Sequence, residues 1–75
     1  MRSQAMNADR FERLVEIAHH ETRIANYYAE ASELGIDDHG PVNPDSAWRL
    51  EGAHRVRAAK AARLADRALA RTVTQ

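Results

Sequence analysis

Residues 35–45 read GIDDHGPVNPD and divide the chain into two alanine-rich segments. Gly35 can adopt the left-handed conformation that ends many helices. Asn43 can cap a following helix, and Pro44 suits its first position, where a backbone donor would lack an acceptor. The stretch therefore predicts a loop over 35–43, between a first helix over 8–34 and a second helix over 44–72.

The composition supports two helices and one domain. Fifteen of the 75 residues are alanine and ten are arginine, whereas β-branched and aromatic residues are few. Such a composition favours helix throughout. We therefore expect an all-α fold, an antiparallel two-helix hairpin over residues 1–75. Asp9 followed by Glu12 fits a capping box at the start of the first helix.

A hairpin of this length needs an additional source of stability. It buries little apolar surface, and the absence of cysteine excludes disulfides. Metal binding or self-association remains. Because a lone hairpin leaves half of each apolar stripe exposed, we expect a homo-oligomer, a dimer or a ring of dimers, in which two hairpins form a four-helix bundle.

The charges restrict the function further. The formal net charge is zero, which makes nucleic acid an unlikely partner. Residues 1–43 carry four basic and eight acidic side chains, whereas residues 44–75 carry seven basic and three acidic ones. The two halves are therefore complementary in charge. The chain has neither an apolar run of membrane-spanning length nor the hydrophobic core of a signal peptide, and we expect a cytoplasmic protein without membrane contact.

Both helices carry ionisable residues on the faces that should be buried. The apolar stripe of the first helix comprises Phe11, Leu14, Ile17, Ala18, Ile24, Ala25 and Tyr28. The stripe of the second comprises Ala47, Leu50, Ala58, Ala61, Ala65, Ala68 and Leu69. At ~100° per residue, Glu21 lies on the centre line of the first stripe, His54 near the centre of the second and Glu51 on the same side. Buried carboxylates are normally paired or bound to metal.

A two-fold dimer would contain Glu21, Glu51 and His54 twice. One glutamate from each of two helices, with Glu-x-x-His from each of the other two, is the ligand set of di-iron and di-manganese carboxylate bundles. The sequence thus predicts a metal site formed by Glu21, Glu51 and His54. Carboxylate and imidazole ligands suit iron, and also manganese or zinc.

These residues resemble the encapsulated ferritins, a family of two-helix ferritin-like hairpins. Glu51 follows Glu21 by 30 residues and begins the Glu-x-x-His motif that ends at His54, while Tyr27 and Tyr28 follow Glu21 by six and seven residues. The resemblance implies a ferroxidase centre at a dimer interface, where two iron ions are oxidised from Fe(II) to Fe(III) by oxygen or peroxide. It makes Glu21, Glu51 and His54 catalytic residues.

The sequence also departs from that family. His20 and Arg23 stand where the family has acidic residues of an iron entry site, and the chain ends ALARTVTQ without a recognisable encapsulin-targeting tail. The family resemblance implies that the protein resides in an encapsulin shell, which is a protein nanocompartment. The C-terminal residues do not support this expectation. Tyr28, about two turns after Glu21, can pack in the core or hydrogen-bond a metal ligand from outside the site.

Other interpretations use the same residues. Glu21 can pair with Arg57 or accept a hydrogen bond from His54, which would leave a structural dimer without metal. A basic ridge on the second helix, formed by Arg49, Lys60, Arg63, Arg67 and Arg71, would suit a nucleic-acid or protein interaction module. Glu16 and His19 repeat the Glu-x-x-His spacing on the outer face of the first helix, where we expect them to be solvated.

Overall fold

The computed structural model describes the backbone of residues 2–74 and the side chains of residues 8–71. Helix α1 spans Arg2–Leu34 and helix α2 spans Pro44–Thr74, with the short strands β1 (Ile36–Asp37) and β2 (Gly40–Pro41) between them. The two helices lie against each other, which confirms the predicted all-α hairpin. Within the described residues, neither helix has an apolar stretch long enough to cross a membrane.

The junction between the helices has the predicted caps. Gly35 has a φ of 68°, and its N–H donates to the carbonyl oxygen of Ala31 at 2.9 Å. The side-chain oxygen of Asn43 accepts from the backbone N–H of Asp45 at 2.9 Å and of Ser46 at 3.4 Å. Backbone groups at both helix ends are thereby satisfied, so the end of α1 and the start of α2 agree with the sequence.

The predicted loop contains a tight turn. Strands β1 and β2 are antiparallel, with Ile36 opposite Pro41 and Asp37 opposite Gly40. The backbone N–H of His39 donates to the Asp37 carboxylate at 2.7 Å, and Gly40 has a φ of 125° that favours glycine. The sequence predicted a loop here, but not this turn or the pairing of two short strands.

The predicted outer ends of both helices are wrong by a few residues. Helix α1 begins at Arg2 rather than at residue 8, and α2 ends at Thr74 rather than at residue 72. Asp9 therefore lies inside α1, and the proposed capping box of Asp9 and Glu12 does not begin the helix. No glycine or proline precedes Asp9, and extending an existing helix is easier than starting one.

Only alanine is buried between the helices in the described side chains. The buried residues are Ala25, Ala31, Ala47, Ala61, Ala65 and Ala68. Several larger apolar side chains of the predicted stripes remain partly exposed, among them Ile17 at 42%, Leu50 at 42% and Leu69 at 43%. The two helices therefore meet along a narrow seam, and much of each stripe borders solvent.

The shape of the hairpin reflects this narrow seam. The Cα atoms span 52 × 17 × 11 Å with a radius of gyration of 16.3 Å, whereas a compact chain of this length has about 11 Å. Its accessible surface is 5864 Å², against about 4,600 Å² for a folded monomer of this mass. The chain is a layer one helix thick, as a subunit of a larger bundle would be.

Candidate functional site

Glu21 and His54 meet between the helices, in the contact that the sequence offered as an alternative to metal binding. His54 Nδ1 lies 2.5 Å from Glu21 Oε2, and the two side chains are 15% and 16% exposed. The Ser32 hydroxyl donates to the Pro44 carbonyl at 3.2 Å, which sets the start of α2 level with Ser32. Glu21 lies eleven residues before Ser32 and His54 lies ten after Pro44, so both reach the same height.

The charge of Glu21 is stabilised at this position. The hydrogen bond with His54 lowers the pKa of Glu21 below its usual value, burial opposes this effect in part, and the charges of His54, Arg57 and His20 add to the lowering. Because an ionised carboxylate can only accept, Nδ1 of His54 carries the hydrogen in this contact. Arg57, an alternative partner from the sequence, acts on Glu21 through its charge.

Two tyrosines lie beside the pair. The ring of Tyr28 stacks on the His54 imidazole, with centroids 5.7 Å apart and planes 14° from parallel. Tyr27 meets Tyr28 edge-on at 5.4 Å. Tyr28 thus contacts a predicted metal ligand, and it does so through its ring face. This stacking fixes the orientation of the imidazole and covers it from water.

Glu51 lies one helical turn from His54 with a different partner. Arg55 Nε donates to Glu51 Oε2 at 2.6 Å, and Arg55 Nη2 donates to Asn26 Oδ1 at 3.4 Å. The Glu51 side chain is 19% exposed. Neither Arg55 nor Asn26 was predicted at the site. The spacing of four residues between Glu51 and Arg55 is a known helical ion-pair spacing and could have indicated that contact.

One hairpin therefore brings two of the three predicted ligands together. Among the described residues, no three His, Cys, Asp or Glu side chains are grouped closely enough to hold a metal ion. Glu21 and His54 contact each other, and Glu51 is adjacent but paired with Arg55. A carboxylate that accepts from one imidazole nitrogen makes the other a better metal ligand. The residues thus fit a metal site that needs a second copy.

The outer-face residues are placed as expected. Glu16, His19 and His20 are exposed, so the second Glu-x-x-His pair does not face the seam. Trp48 is 68% exposed and Tyr27 is 38% exposed. The two pairs of identical spacing therefore differ in their surroundings.

The hairpin has two broad faces, which the contacts of Arg55 distinguish. We call the side that carries Glu51, Arg55 and Asn26 the Glu51 face, because these three side chains are joined across both helices. Leu50 precedes Glu51 by ~100° of helical rotation and therefore lies on the other side of the seam. We call that side the Leu50 face.

No protein-family model matches the chain, and neither the curated proteins nor the solved structures contain a significant match.

Proposed function

We propose that two copies of the hairpin associate through the Glu51 face and that Glu21, Glu51 and His54 of both copies bind two ferrous ions, which are oxidised to the ferric state by oxygen or peroxide. The observation that carries the proposal is the Glu21–His54 pair, which is partly buried between helices whose fully buried described residues are all alanine. This activity is the one that the resemblance to encapsulated ferritins implies.

A dimer would complete the ligand set that one chain lacks. Two copies would supply four carboxylates and two imidazoles, the set found in di-iron carboxylate bundles. Four negative charges neutralise two divalent cations. In the hairpin alone, Arg55 balances the charge of Glu51. A metal ion would replace Arg55 in that role, and Arg55 could keep its bond to Asn26.

The proposed reaction is a one-electron oxidation of each ferrous ion, and iron is the substrate. Two ions held close together can give one electron each to a single oxygen molecule, which takes up two protons to form hydrogen peroxide. The carboxylates of Glu21 and Glu51 favour the ferric product because hard oxygen ligands stabilise the higher charge. His54 would supply one nitrogen ligand to each ion, and Tyr28 would hold its ring in place.

A second candidate is a structural dimer without metal. It is favoured by the fact that each ionisable residue of the predicted site has a partner in its own chain, Glu21 with His54 and Glu51 with Arg55. In such a dimer, both carboxylates of the predicted site are paired within their own chain and no metal ion is needed to balance their charge. The two candidates differ in what ferrous iron does to stability.

The first experiment measures binding apart from activity. Ferrous iron is added anaerobically to metal-free protein, and thermal unfolding is followed by circular dichroism. Binding should stabilise the fold by ~2.7 kcal/mol when free iron exceeds its dissociation constant a hundredfold. An unchanged melting temperature would eliminate the iron site and leave the structural dimer.

The second experiment measures aerobic ferrous oxidation by ferric absorbance. His54→Ala, Glu21→Ala and Glu51→Ala should each slow it, because each removes a ligand. Glu16→Ala and His19→Ala are the matched controls, since these residues have the same spacing but are exposed. Equal losses in both groups, or a wild-type rate no faster than buffer, would contradict the assignment.

A further inference from the structure

The Leu50 face has exposed apolar side chains that the proposed metal interface does not use. Ile17 and Leu50 are each 42% exposed, and Tyr27 is 38% exposed. By helical rotation all three lie on the side of the seam opposite to Glu51. Among the described side chains only alanine is buried, so these three side chains provide apolar surface on this side of the hairpin.

Two grooves of opposite charge also open along this hairpin, one near each end. The acidic groove lies at the loop end, has a volume of about 430 Å³ and includes Tyr27, Glu30, Leu34, Asp37 and Asp38. Burial raises the pKa of Tyr27, and the charges of Asp37 and Asp38 add to this effect. The basic groove lies at the opposite end and includes Arg10, Leu64, Arg67 and Arg71.

The positions of these features along the hairpin are symmetrical about the level of Glu21 and His54. At ~1.5 Å per residue, Ile17 lies ~6 Å from that level toward the open end, and Ile24 lies ~5 Å toward the loop. Glu30 and Leu34 lie ~14 and ~20 Å toward the loop, and Leu64 and Arg67 lie ~15 and ~20 Å toward the open end. The acidic and basic grooves are thus nearly equidistant from it.

We infer that a second copy of this chain packs on the Leu50 face, antiparallel to the first, about a two-fold axis that crosses both helices at the level of Glu21 and His54. Each helix then packs against its own equivalent. Ile17 meets Ile24 of the second copy, and the acidic groove of each copy lies at the same end of the dimer as the basic groove of the other.

A second copy fits this face better than another partner does. A polyanion would suit the basic groove but would be repelled by Glu30, Asp37 and Asp38 at the other end. An antiparallel copy satisfies both ends at once, whereas a parallel copy would place like charges together. A layer of 52 × 17 Å offers each copy roughly 800 Å², the area per partner in a standard interface.

This association does not depend on the proposed metal site. It uses the face opposite to Glu51 and requires no ion. If both interfaces form, each hairpin contacts two others and assemblies larger than a dimer follow. If only the Leu50 face pairs, the protein is a dimer that binds no iron, and the two proposals can fail separately.

The first test is sedimentation velocity of metal-free protein with chelator over a range of concentrations. Leu50→Lys should weaken self-association by about a hundredfold or more, because the same helical rotation places residue 50 opposite Arg57 of the second copy and the dimer would bury like charges together. Val56→Lys is the control, since Val56 is 67% exposed on the outer side of α2. Circular dichroism establishes that both variants remain helical. A monomeric wild type, or equal effects of the two substitutions, would overturn the inference.

The second test uses the absence of natural cysteine to locate the axis. Ala53 lies on the Leu50 face, ~2 Å from the level of His54, so Ala53→Cys should form a cross-linked dimer on mild oxidation. Disulfides require Cα atoms within about 7 Å. Ala59→Cys, on the outer side of α2, should not cross-link at the same rate. Equal rates, or cross-linking only at residue 59, would exclude this arrangement. The metal proposal is tested separately by anaerobic ferrous iron, which should raise the melting temperature of Leu50→Lys and should do so less for Glu51→Ala.

Discussion

At Glu21, the hydrogen bond from His54 makes protonation of the carboxylate less favourable than it is in the unfolded chain. The pKa of Glu21 is therefore lowered, and electrostatic contributions from His54, Arg57 and His20 add to the effect of the hydrogen bond. A carboxyl group whose pKa is lower in the folded state stabilises the fold above its unfolded value and loses that contribution as it is protonated.

We predict an acid-dependent loss of stability that Glu21 causes. In metal-free protein, the urea midpoint of unfolding should fall as the pH drops from about 5 through the lowered pKa. Glu21→Gln should be less stable than wild type at neutral pH and should show a shallower fall. Urea titrations at several pH values measure both. Parallel pH profiles for the two proteins would show that this carboxylate is not the source.

Arg55 distinguishes the two candidate functions at a single residue. It donates to Glu51, and this ion pair is one that a metal would have to displace. Arg55→Met removes the competing charge and keeps much of the side-chain length. We predict that the variant binds ferrous iron more tightly than wild type, measured by anaerobic titration. Weaker binding would mean that Arg55 supports the site, and no binding by either protein would favour the structural dimer.

At the scale of the elements, the hairpin depends on two helix ends that meet at the turn. The cap at Asn43 and the left-handed residue Gly35 fix where α2 begins and α1 ends. The bond from Ser32 to Pro44 then fixes the relative height of the helices. This height decides which side chains meet across the seam, so the turn determines the Glu21–His54 contact.

The two glycines of contrasting geometry provide a matched test. Gly35 has a φ of 68°, so Gly35→Ala should destabilise the hairpin by ~1 kcal/mol. Gly52 lies within α2 with open space around its Cα, so Gly52→Ala should stabilise it by ~1 kcal/mol through helix propensity. Urea unfolding at a fixed protein concentration measures both. Effects of the same sign would contradict the assignment of these backbone conformations.

The whole molecule is a charged layer whose two ends have opposite sign. The acidic groove contains Glu30 and Asp38, and the basic groove contains Arg10 and Arg67. Because these grooves lie at similar distances from the Glu21–His54 level, an antiparallel dimer pairs them twice. Association of this kind should weaken with salt, since partly exposed charges are screened.

Charge reversal in one groove should therefore weaken association, and mixing the two variants should restore it. Glu30→Lys with Asp38→Lys makes both grooves basic, and Arg10→Glu with Arg67→Glu makes both acidic. Each variant alone should associate about tenfold more weakly than wild type, whereas an equimolar mixture should form heterodimers. Native mass spectrometry resolves the species. A mixture that remains as monomeric as its components would contradict the pairing of these grooves.

The sequence by itself determined the helical class, the caps at Gly35 and Asn43, and the set of residues that belongs to each face. These features depend on local conformational preference and on a helical period that is the same in every helix. The outer ends were misjudged because nothing in residues 2–8 forces a helix to start late, and a capping pattern does not stop one that has already begun.

The tertiary structure decided which of the predicted site residues on the two helices contact each other. The Glu21–His54 contact depends on the relative height of the helices, which a turn of nine residues sets through the bond from Ser32 to Pro44. Glu51 was correctly placed near the seam, but its position beside Arg55 and Asn26 depends on the packing of α1 against α2. The local sequence determines the angular position of each residue about its own helix axis. The axial offset between the two helices and the sides that they turn toward each other are determined only when the helices pack together.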